Sequence, residues 1–360
     1  MNQIKYKKIV VKVGTNVITK DNGLLDIPMM KKIIIQLVKL KKLGVEVILV
    51  SSGAMGAGKS VVKLDKKTDE VGRRQVLASV GQVELMNVYK RILSKHKFIS
   101  AQILSTKEDF RDRNHYMNMR NCFSSLSKDN IIPIVNENDV VSITELMFTD
   151  NDELAGLISA MMNVDALFLL TNVDGVYDGN PEDKTSRIIH TIEPSAPRRQ
   201  FATPQISKFG RGGMMTKSKI ARKLSNLGII THIVNGKKNG VILDLFAGDE
   251  IGTTFLSIKK ISNVKKRLAH AYGQEKGTAY LNELATNIFS NPDRPLSLLP
   301  VGVTKITGKF EKGDIIKIIG SRQEEIGLGI AQYGFDTAHS LIGQKGHRAL
   351  IHYDYLFLNL

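Results

Sequence analysis

The stretch KIVVKVGTNVITKDNGLLDIPMMKKIIIQLVKLKKLGVEVILVSSG, Lys8 to Gly53, decides the fold. It opens with a β-branched run, Lys8 to Val13, that empties into Gly14-Thr15-Asn16, the pattern of a buried strand feeding a turn. Asp26 to Leu43 reads as a helix: Pro28 sits in its first turn, Met30, Ile33, Ile34, Leu37 and Val38 mark one broad face, and Gly44 stops it. Val45 to Val50 is a second strand, running into Ser51-Ser52-Gly53. A strand, a helix and a strand of these lengths make a parallel crossover unit, right-handed by rule.

The alternation continues outward from this unit. A helix around Arg74 to Lys95 leads to a strand around Ile99 to Leu104, and Asn114 to Lys128 is a further helix. Ile131 to Val135 is a strand ending in Asn136-Glu137-Asn138-Asp139. Thr149-Asp150-Asn151-Asp152 precedes a helix through Met162, with an aspartate as its N-cap. The strand Ala166 to Leu170 runs into Thr171-Asn172, and Ile229 to Val234 is the last apolar strand of the series. Fully apolar strands alternating with helices predict a parallel sheet covered on both faces. Ligands of such sheets bind beyond the carboxyl ends of the strands, which is where the polar clusters fall.

Phe209 to Ala221, FGRGGMMTKSKIA, adds three glycines before a helix predicted to open near Met214. Glycine lets backbone N–H groups approach a phosphate, and a helix N-terminus carries about half a positive charge, so the combination suits an anion. A glycine hinge before a solvated basic helix is the competing reading. Lys12, near the end of an apolar strand, likewise either snorkels to the surface or aims at an anion. Gly53 to Ser60, GAMGAGKS, satisfies the P-loop pattern and follows a strand. A P-loop needs a helix starting at Lys59-Ser60, however, and the following VVKLDKKTDE has no apolar stripe; the match is set aside.

Composition bounds the answer. Apolar residues make up 42% of the 360, enough for a sizeable core, and no apolar run approaches the ~18 residues of a membrane span. The single cysteine, Cys122, excludes internal disulfides and a cysteine metal site and fits a reducing cytoplasm. The formal charge of +16 could suggest nucleic acid, but its distribution argues otherwise. From His270 onward 9 basic residues balance 9 acidic ones, so the whole excess lies before that point. Met117, Met119, Met161 and Met162 read as core filler. After Thr254 the character changes: Ile258 to Lys266 is short and basic, and glycines then recur between short apolar runs, with one helix predicted near Tyr280 to Phe289. Three regions follow: a larger domain over 1–257, a linker over 258–272 and a small, mostly β domain over 273–360.

Taken together, these segments resemble the amino acid kinase superfamily, and within it the glutamate 5-kinase family. The resemblance rests on VVKVGTNVIT, VSSGAMGAGKS, IIPIVNENDVV, FTDNDELAGLISAMM, LFLLTNVDGVYDGNP and GRGGMMTKSKIA, in family order over about residues 8 to 255. The tail, with SLLPVGVTKITGKFEKGD from Ser297 to Asp314, looks like the PUA domain that many such kinases carry. Acetylglutamate kinase, uridylate kinase and aspartokinase share pieces such as the LTNVDGVY block without the same combination. The resemblance implies a three-layer αβα sandwich around a mainly parallel eight-stranded sheet, with glutamate over one half and ATP over the other. It makes GAMGAGKS part of a substrate loop.

By resemblance, Lys12, Asp152 and Lys217 are the catalytic group, two lysines on the phosphoryl group held by an aspartate. Ser52, Gly53, Asn136, Asp139 and Asn151 match glutamate-binding positions, Asp139 suiting an α-ammonium. Lys12, Gly14, Thr171, Asn172 and the run Arg211, Gly212, Gly213, Met214, Met215, Thr216 and Lys217 match ATP-binding segments. Asn172 stands where the family commonly has aspartate, and Arg211 where a small residue is usual. ATP and Mg²⁺ are the implied cofactors, and no metal ligand is assigned in the protein. A cytoplasmic homo-oligomer, a glutamyl-phosphate reductase as partner and a regulatory tail complete the expectation. The rival from another class is an RNA-binding protein that uses the PUA domain on a degenerate kinase body. The intact set Lys12, Asp152 and Lys217 speaks against it.

Overall fold

In the computed structural model, strand β1 (Lys8–Val13) pairs in parallel with β2 (Glu46–Ser51), Lys8 opposite Glu46 and Val13 opposite Ser51. The structure describes residues 6–64, 69–127, 129–141, 148, 150–181, 183, 185–196, 213–258, 264, 268, 271, 275–290 and 296–358. Between the two strands lie a single turn, α1 (Thr15–Ile18), and the crossover helix α2 (Ile27–Lys42). Asp26 caps α2 by accepting the Met29 N–H at 3.0 Å, and Lys39, Lys41 and Lys42 occupy its last turn, where the helix dipole favours cations.

The chain goes on through α3 (Ala54–Lys59), α4 (Glu70–Ser94), β3 (Ile99–Ser105), α5 (Lys107–Arg111), α6 (Arg113–Leu126) and β4 (Ile131–Glu137). Then follow α7 (Asn151–Met162), β5 (Ala166–Thr171), β6 (Thr191–Ile192), α8 (Met214–Ser225), β7 (Ile230–Asn235), α9 (Val241–Ala247) and β8 (Thr253–Phe255). These strands form one eight-stranded sheet in the order β3-β4-β2-β1-β5-β7-β8-β6. Only the β7–β8 pairing is antiparallel among those described. Strands β6 and β8, of two and three residues, carry too short a pattern for periodicity to reveal.

Period-2 alternation sorts β1 between two layers. Ile9, Val11 and Val13 enter a core with Ile33 and Leu37 of α2, Leu85 and Tyr89 of α4, and Ile242 of α9. Val10 and Lys12 point to the opposite face, which α7 covers by packing across β1, β2, β4 and β5. That places Lys12 under the first turn of α7. Met161 and Met162 are buried there as expected, whereas Met117 on α6 is 37% exposed and is not core filler.

The P-loop look-alike is a different structure. Gly53 adopts φ +101°, caps α3, and the helix ends at Lys59 where a P-loop helix would begin. Its glycines serve packing: a Cβ on Gly58 would fall 2.1 Å from the Leu77 carbonyl oxygen of α4, and one on Gly81 of α4 only 1.7 Å from the Ala54 carbonyl oxygen. Gly81→Ala must therefore push α3 and α4 apart. It is expected to destabilise the protein by about 1–3 kcal/mol, read as a shift of the urea midpoint.

The chain divides into two compact units, Met1–Asp109 with Tyr116–Lys260, and Ile261–Leu360 with the segment Phe110–His115. The expected linker over 258–272 lies almost wholly outside the described residues. The tail forms a five-stranded sheet, β9 (Gly277–Leu281), β10 (Val303–Gly308), β11 (Ile315–Ile319), β12 (Glu325–Ile330) and β13 (Leu356–Leu358), in the order β10-β9-β11-β12-β13. Among its described residues it contains two α-helices, not one. Glu283–Ser290 begins after Tyr280, which belongs to β9, and Phe335–Ser340 is one short turn and a half. No helix among the described residues is long and apolar enough to cross a membrane.

Candidate active site

The sheet order puts β1 between β2 and β5, so the chain leaves β1 toward one side of the sheet and β5 toward the other. A pocket lies beyond the carboxyl ends of these strands, as the geometry of doubly wound sheets requires. Its floor is an ion cluster. Lys12 Nζ stands 2.6 Å from Asp152 Oδ1, and Lys217 Nζ stands 2.8 Å from Asp152 Oδ2. Three elements supply these residues: the end of β1, the first turn of α7 and the first turn of α8.

Local chemistry sets the aspartate. Asp150, at φ −163°, caps α7 and accepts the N–H groups of Asp152 at 2.9 Å and Glu153 at 3.1 Å through Oδ1. Asp152 is wholly buried, while Lys12 and Lys217 are 5% and 8% exposed. Burial alone would push the Asp152 carboxyl up, but the two ammonium groups overrule it and hold it well below the usual carboxylate range. Burial also works against the Lys217 charge, and Asp152 more than compensates, raising that ammonium above its ordinary value. Burial, then the charge of Asp152, push the Asp150 carboxyl up to about 6. Two ammonium groups thus share one fully ionised carboxylate, with Asp150 beside them as a second acid.

One wall of the pocket is a hydrogen-bond chain. Asn151 Nδ2 donates to the Ser51 carbonyl at 3.1 Å, to Ser52 Oγ at 2.9 Å and to Asn136 Oδ1 at 3.0 Å. Asn136 Oδ1 also accepts the Glu137 N–H, and its Nδ2 donates to Gln82 Oε1 of α4 at 2.9 Å. Because a carbonyl and an N–H cannot exchange roles, the amide orientations along this chain are determined. Asn151 Oδ1 is buried and has no hydrogen-bond partner among the described residues, an acceptor available to a donor on a ligand. Asp139 completes this wall. Its carboxylate pairs with Arg74 of α4, which also lies 3.6 Å from Glu137.

On the other side, Gly14 follows β1 and donates its N–H to the Leu170 carbonyl at 3.1 Å. Thr171 is nearly buried at the end of β5, and Asn172 beside it is exposed; both line the pocket. Gly213, which has no side chain to cap with, precedes α8 in extended conformation, and the N–H groups of a helix N-terminus suit an anion. Met214 is buried, Met215 is 59% exposed and Thr216 is half-buried; the three follow Gly213 on α8 and are not part of the pocket wall. Arg211 and Gly212 fall outside the described residues.

The pocket thus brings together the expected Lys12, Asp152 and Lys217, the expected Ser52, Gly53, Asn136, Asp139 and Asn151, and the expected Gly14, Thr171 and Asn172. Sequence reading missed Arg74 and Gln82, and it treated Asp150 as a cap alone. A signal for the first two exists: positions 74, 78, 82 and 85 continue one helical stripe, and Ala78 and Leu85 in it are buried. A polar residue inside a buried stripe points to a partner. Lys59, by contrast, is exposed at the end of α3 and is not among the residues that line this pocket.

Comparison with known proteins agrees with this geometry. The sequence profile of the Amino acid kinase family matches residues 7–235, and that of the PUA domain matches residues 294–350. Glutamate 5-kinase of Chlorobaculum tepidum is 48% identical over 98% of this chain and 98% of its own. Glutamate 5-kinase of Bacteroides thetaiotaomicron is 43% identical over 98% and 99%. A solved carbamate kinase from Giardia lamblia bound to AMP-PNP superposes with a TM-score of 0.51 at 16% identity, over 71% of this chain and all of its own, a likeness of fold alone. A family profile over more than half of the chain, and relatives this similar from end to end, leave one assignment: the chain belongs to the amino acid kinase family, in its glutamate 5-kinase branch with a PUA domain.

Proposed function

We propose that this kinase transfers the γ-phosphoryl group of ATP to the γ-carboxylate of L-glutamate, giving ADP and L-glutamyl 5-phosphate, the first step of proline synthesis. The observation that carries the reading is the buried Lys12–Asp152–Lys217 cluster under a pocket at the strand ends, in a chain whose full-length relatives are named glutamate 5-kinase.

The reaction needs no general base. A carboxylate oxygen already carries its charge, so it attacks the γ-phosphorus directly. The new O–P bond forms as the bond to the β,γ-bridging oxygen breaks, and that electron pair leaves with ADP. The obstacle is bringing two anions together and stabilising the phosphoryl group between them. Lys12 and Lys217, fixed by one carboxylate, act on it from two elements, with Gly14 and Gly53 allowing close backbone approach. Thr171, Asn172, the run Arg211 to Gly213 and the start of α8, Met214 to Thr216, hold ATP. Ser52, Asn136, Asn151 and Asp139 hold glutamate, the last two by accepting from its α-ammonium.

Mg²⁺ fits this site. Among the described residues one buried carboxylate oxygen of Asp150 has no hydrogen-bond partner, and magnesium takes one or two such oxygens while phosphates and water fill its other positions. Asp150 would hold the ion beside the ATP phosphates, where it would supply charge neutralisation. An acyl phosphate hydrolyses readily, which favours assembly into a homo-oligomer that hands its product to glutamyl-phosphate reductase, with the tail in assembly or regulation.

The test is ADP release from Mg-ATP with L-glutamate, N-acetylglutamate, L-aspartate and UMP as separate acceptors. Glutamate is expected to be turned over. ADP formation with another acceptor and none above background with glutamate would remove the assignment.

A further inference from the structure

Helix α4 reaches the glutamate side of the pocket with a cation. Arg74 Nε donates to Asp139 Oδ1 at 3.0 Å, and Nη2 donates to the same oxygen. Nη2 also stands 3.6 Å from Glu137 Oε2, while Glu137 Oε1 accepts the Phe148 N–H at 3.0 Å. The Arg74 and Asp139 side chains are only 17% and 16% exposed, so their attraction is screened less than that of a surface pair. Asp69 already caps α4 through the Gly72 N–H, so Arg74 is not needed to terminate the helix.

The charges around this guanidinium give it a purpose. Glu137, Asp139 and Asp150 all line the pocket, and both substrates assigned to that pocket are anions. Asp150 lies within reach of the Lys12 and Lys217 charges, whereas Glu137 and Asp139 have Arg74 beside them; without it these two carboxylates would repel the carboxylates of an amino acid. Arg74 Nε and Nη2 both donate to Oδ1 of Asp139, and among the described residues no hydrogen bond occupies its Oδ2.

We propose that Arg74 is a positioning residue for the amino-acid substrate. It fixes the rotamer of Asp139 so that Oδ2 meets the α-ammonium, and it offsets one carboxylate so that the substrate's own carboxylates are admitted. The inference rests on the glutamate reading above. It adds that preference for a free α-amino acid is set from α4, by a residue that does not itself line the pocket.

The experiment is steady-state kinetics of full-length wild type, Arg74→Met and Arg74→Lys, with L-glutamate and with glutarate, which lacks the α-ammonium. Loss of a charged hydrogen bond predicts that Arg74→Met raises KM for glutamate about tenfold or more. Its kcat should stay within about threefold and its KM for ATP within about twofold, the signature of lost substrate binding rather than lost chemistry. The preference for glutamate over glutarate should narrow about tenfold or more, and Arg74→Lys, which keeps the charge but not the fork, should recover part of it. Circular dichroism and Tm accompany each variant. A folded Arg74→Met enzyme with wild-type KM and unchanged preference overturns the inference while leaving the function standing. So does a parallel fall in kcat, both affinities and Tm in both variants, which marks a merely structural pair. A wild-type enzyme that ignores glutamate and phosphorylates another acid overturns the functional reading, and this inference with it.

Discussion

Lys217→Ala is expected to lower kcat about 10²–10³-fold, roughly 3–4 kcal/mol of transition-state stabilisation, by analogy with loss of an oxyanion-hole donor. Lys12→Ala should do the same. Each removes a buried ammonium that touches the same carboxylate from one side, at 2.8 and 2.6 Å respectively. Because Asp152 keeps the other lysine in either variant, no buried charge is left wholly unpaired and the fold should survive. Lys59→Ala is the control, since that side chain is exposed at the end of α3. Its kcat should stay close to wild type. A dead Lys59→Ala enzyme beside a near-normal Lys217→Ala enzyme would restore the P-loop reading. The measurement is ADP release at saturating ATP and glutamate.

Asp152→Asn should be equally damaging, and for a reason that pH exposes. In the wild type this carboxylate raises the Lys217 ammonium against the opposing effect of burial. With that charge gone, burial is opposed only by the weaker pull of Asp150, and two buried ammonium groups face each other. Breaking a buried pair from one side costs about 3–5 kcal/mol, so unfolding by urea should begin much earlier. The sign of the pH effect follows. A lysine whose pKa has fallen loses its proton as pH rises, so residual activity in Asp152→Asn should decline on the alkaline side at a lower pH than in wild type. An unchanged alkaline limb together with near-normal kcat would falsify the assigned role of Asp152.

Much of this was legible in the chain because it is local. The alternation of Lys8–Val13 and the stripe of α2 belong to contiguous residues, and so does the cap at Asp150. Each depends on the direction of neighbouring side chains and on open N–H groups at a helix end. The same local rules dismissed the P-loop, although they could not say that its glycines admit the close approach of α4. The short strands β6 and β8 were not legible, since two or three residues set no period.

The ion cluster and the Arg74 contact belong to another class. Arg74 and Asp139 are 65 residues apart, and although Arg74 continues the buried stripe of α4, nothing local names its partner. What decides its partner is the pairing of β4 beside β2, which brings the end of that strand under α4. Lys12, Asp152 and Lys217 lie on three elements that no short-range pattern connects. The sequence by itself determined that Lys12 ends an apolar strand, that Asp152 opens one helix and that Lys217 opens another. Only the tertiary structure decided that they meet. Strand alternation chooses a face for Lys12, but the layer that covers this face is set by the order of the whole sheet, and a carboxylate between two buried ammonium groups exists only once α7 and α8 have packed there.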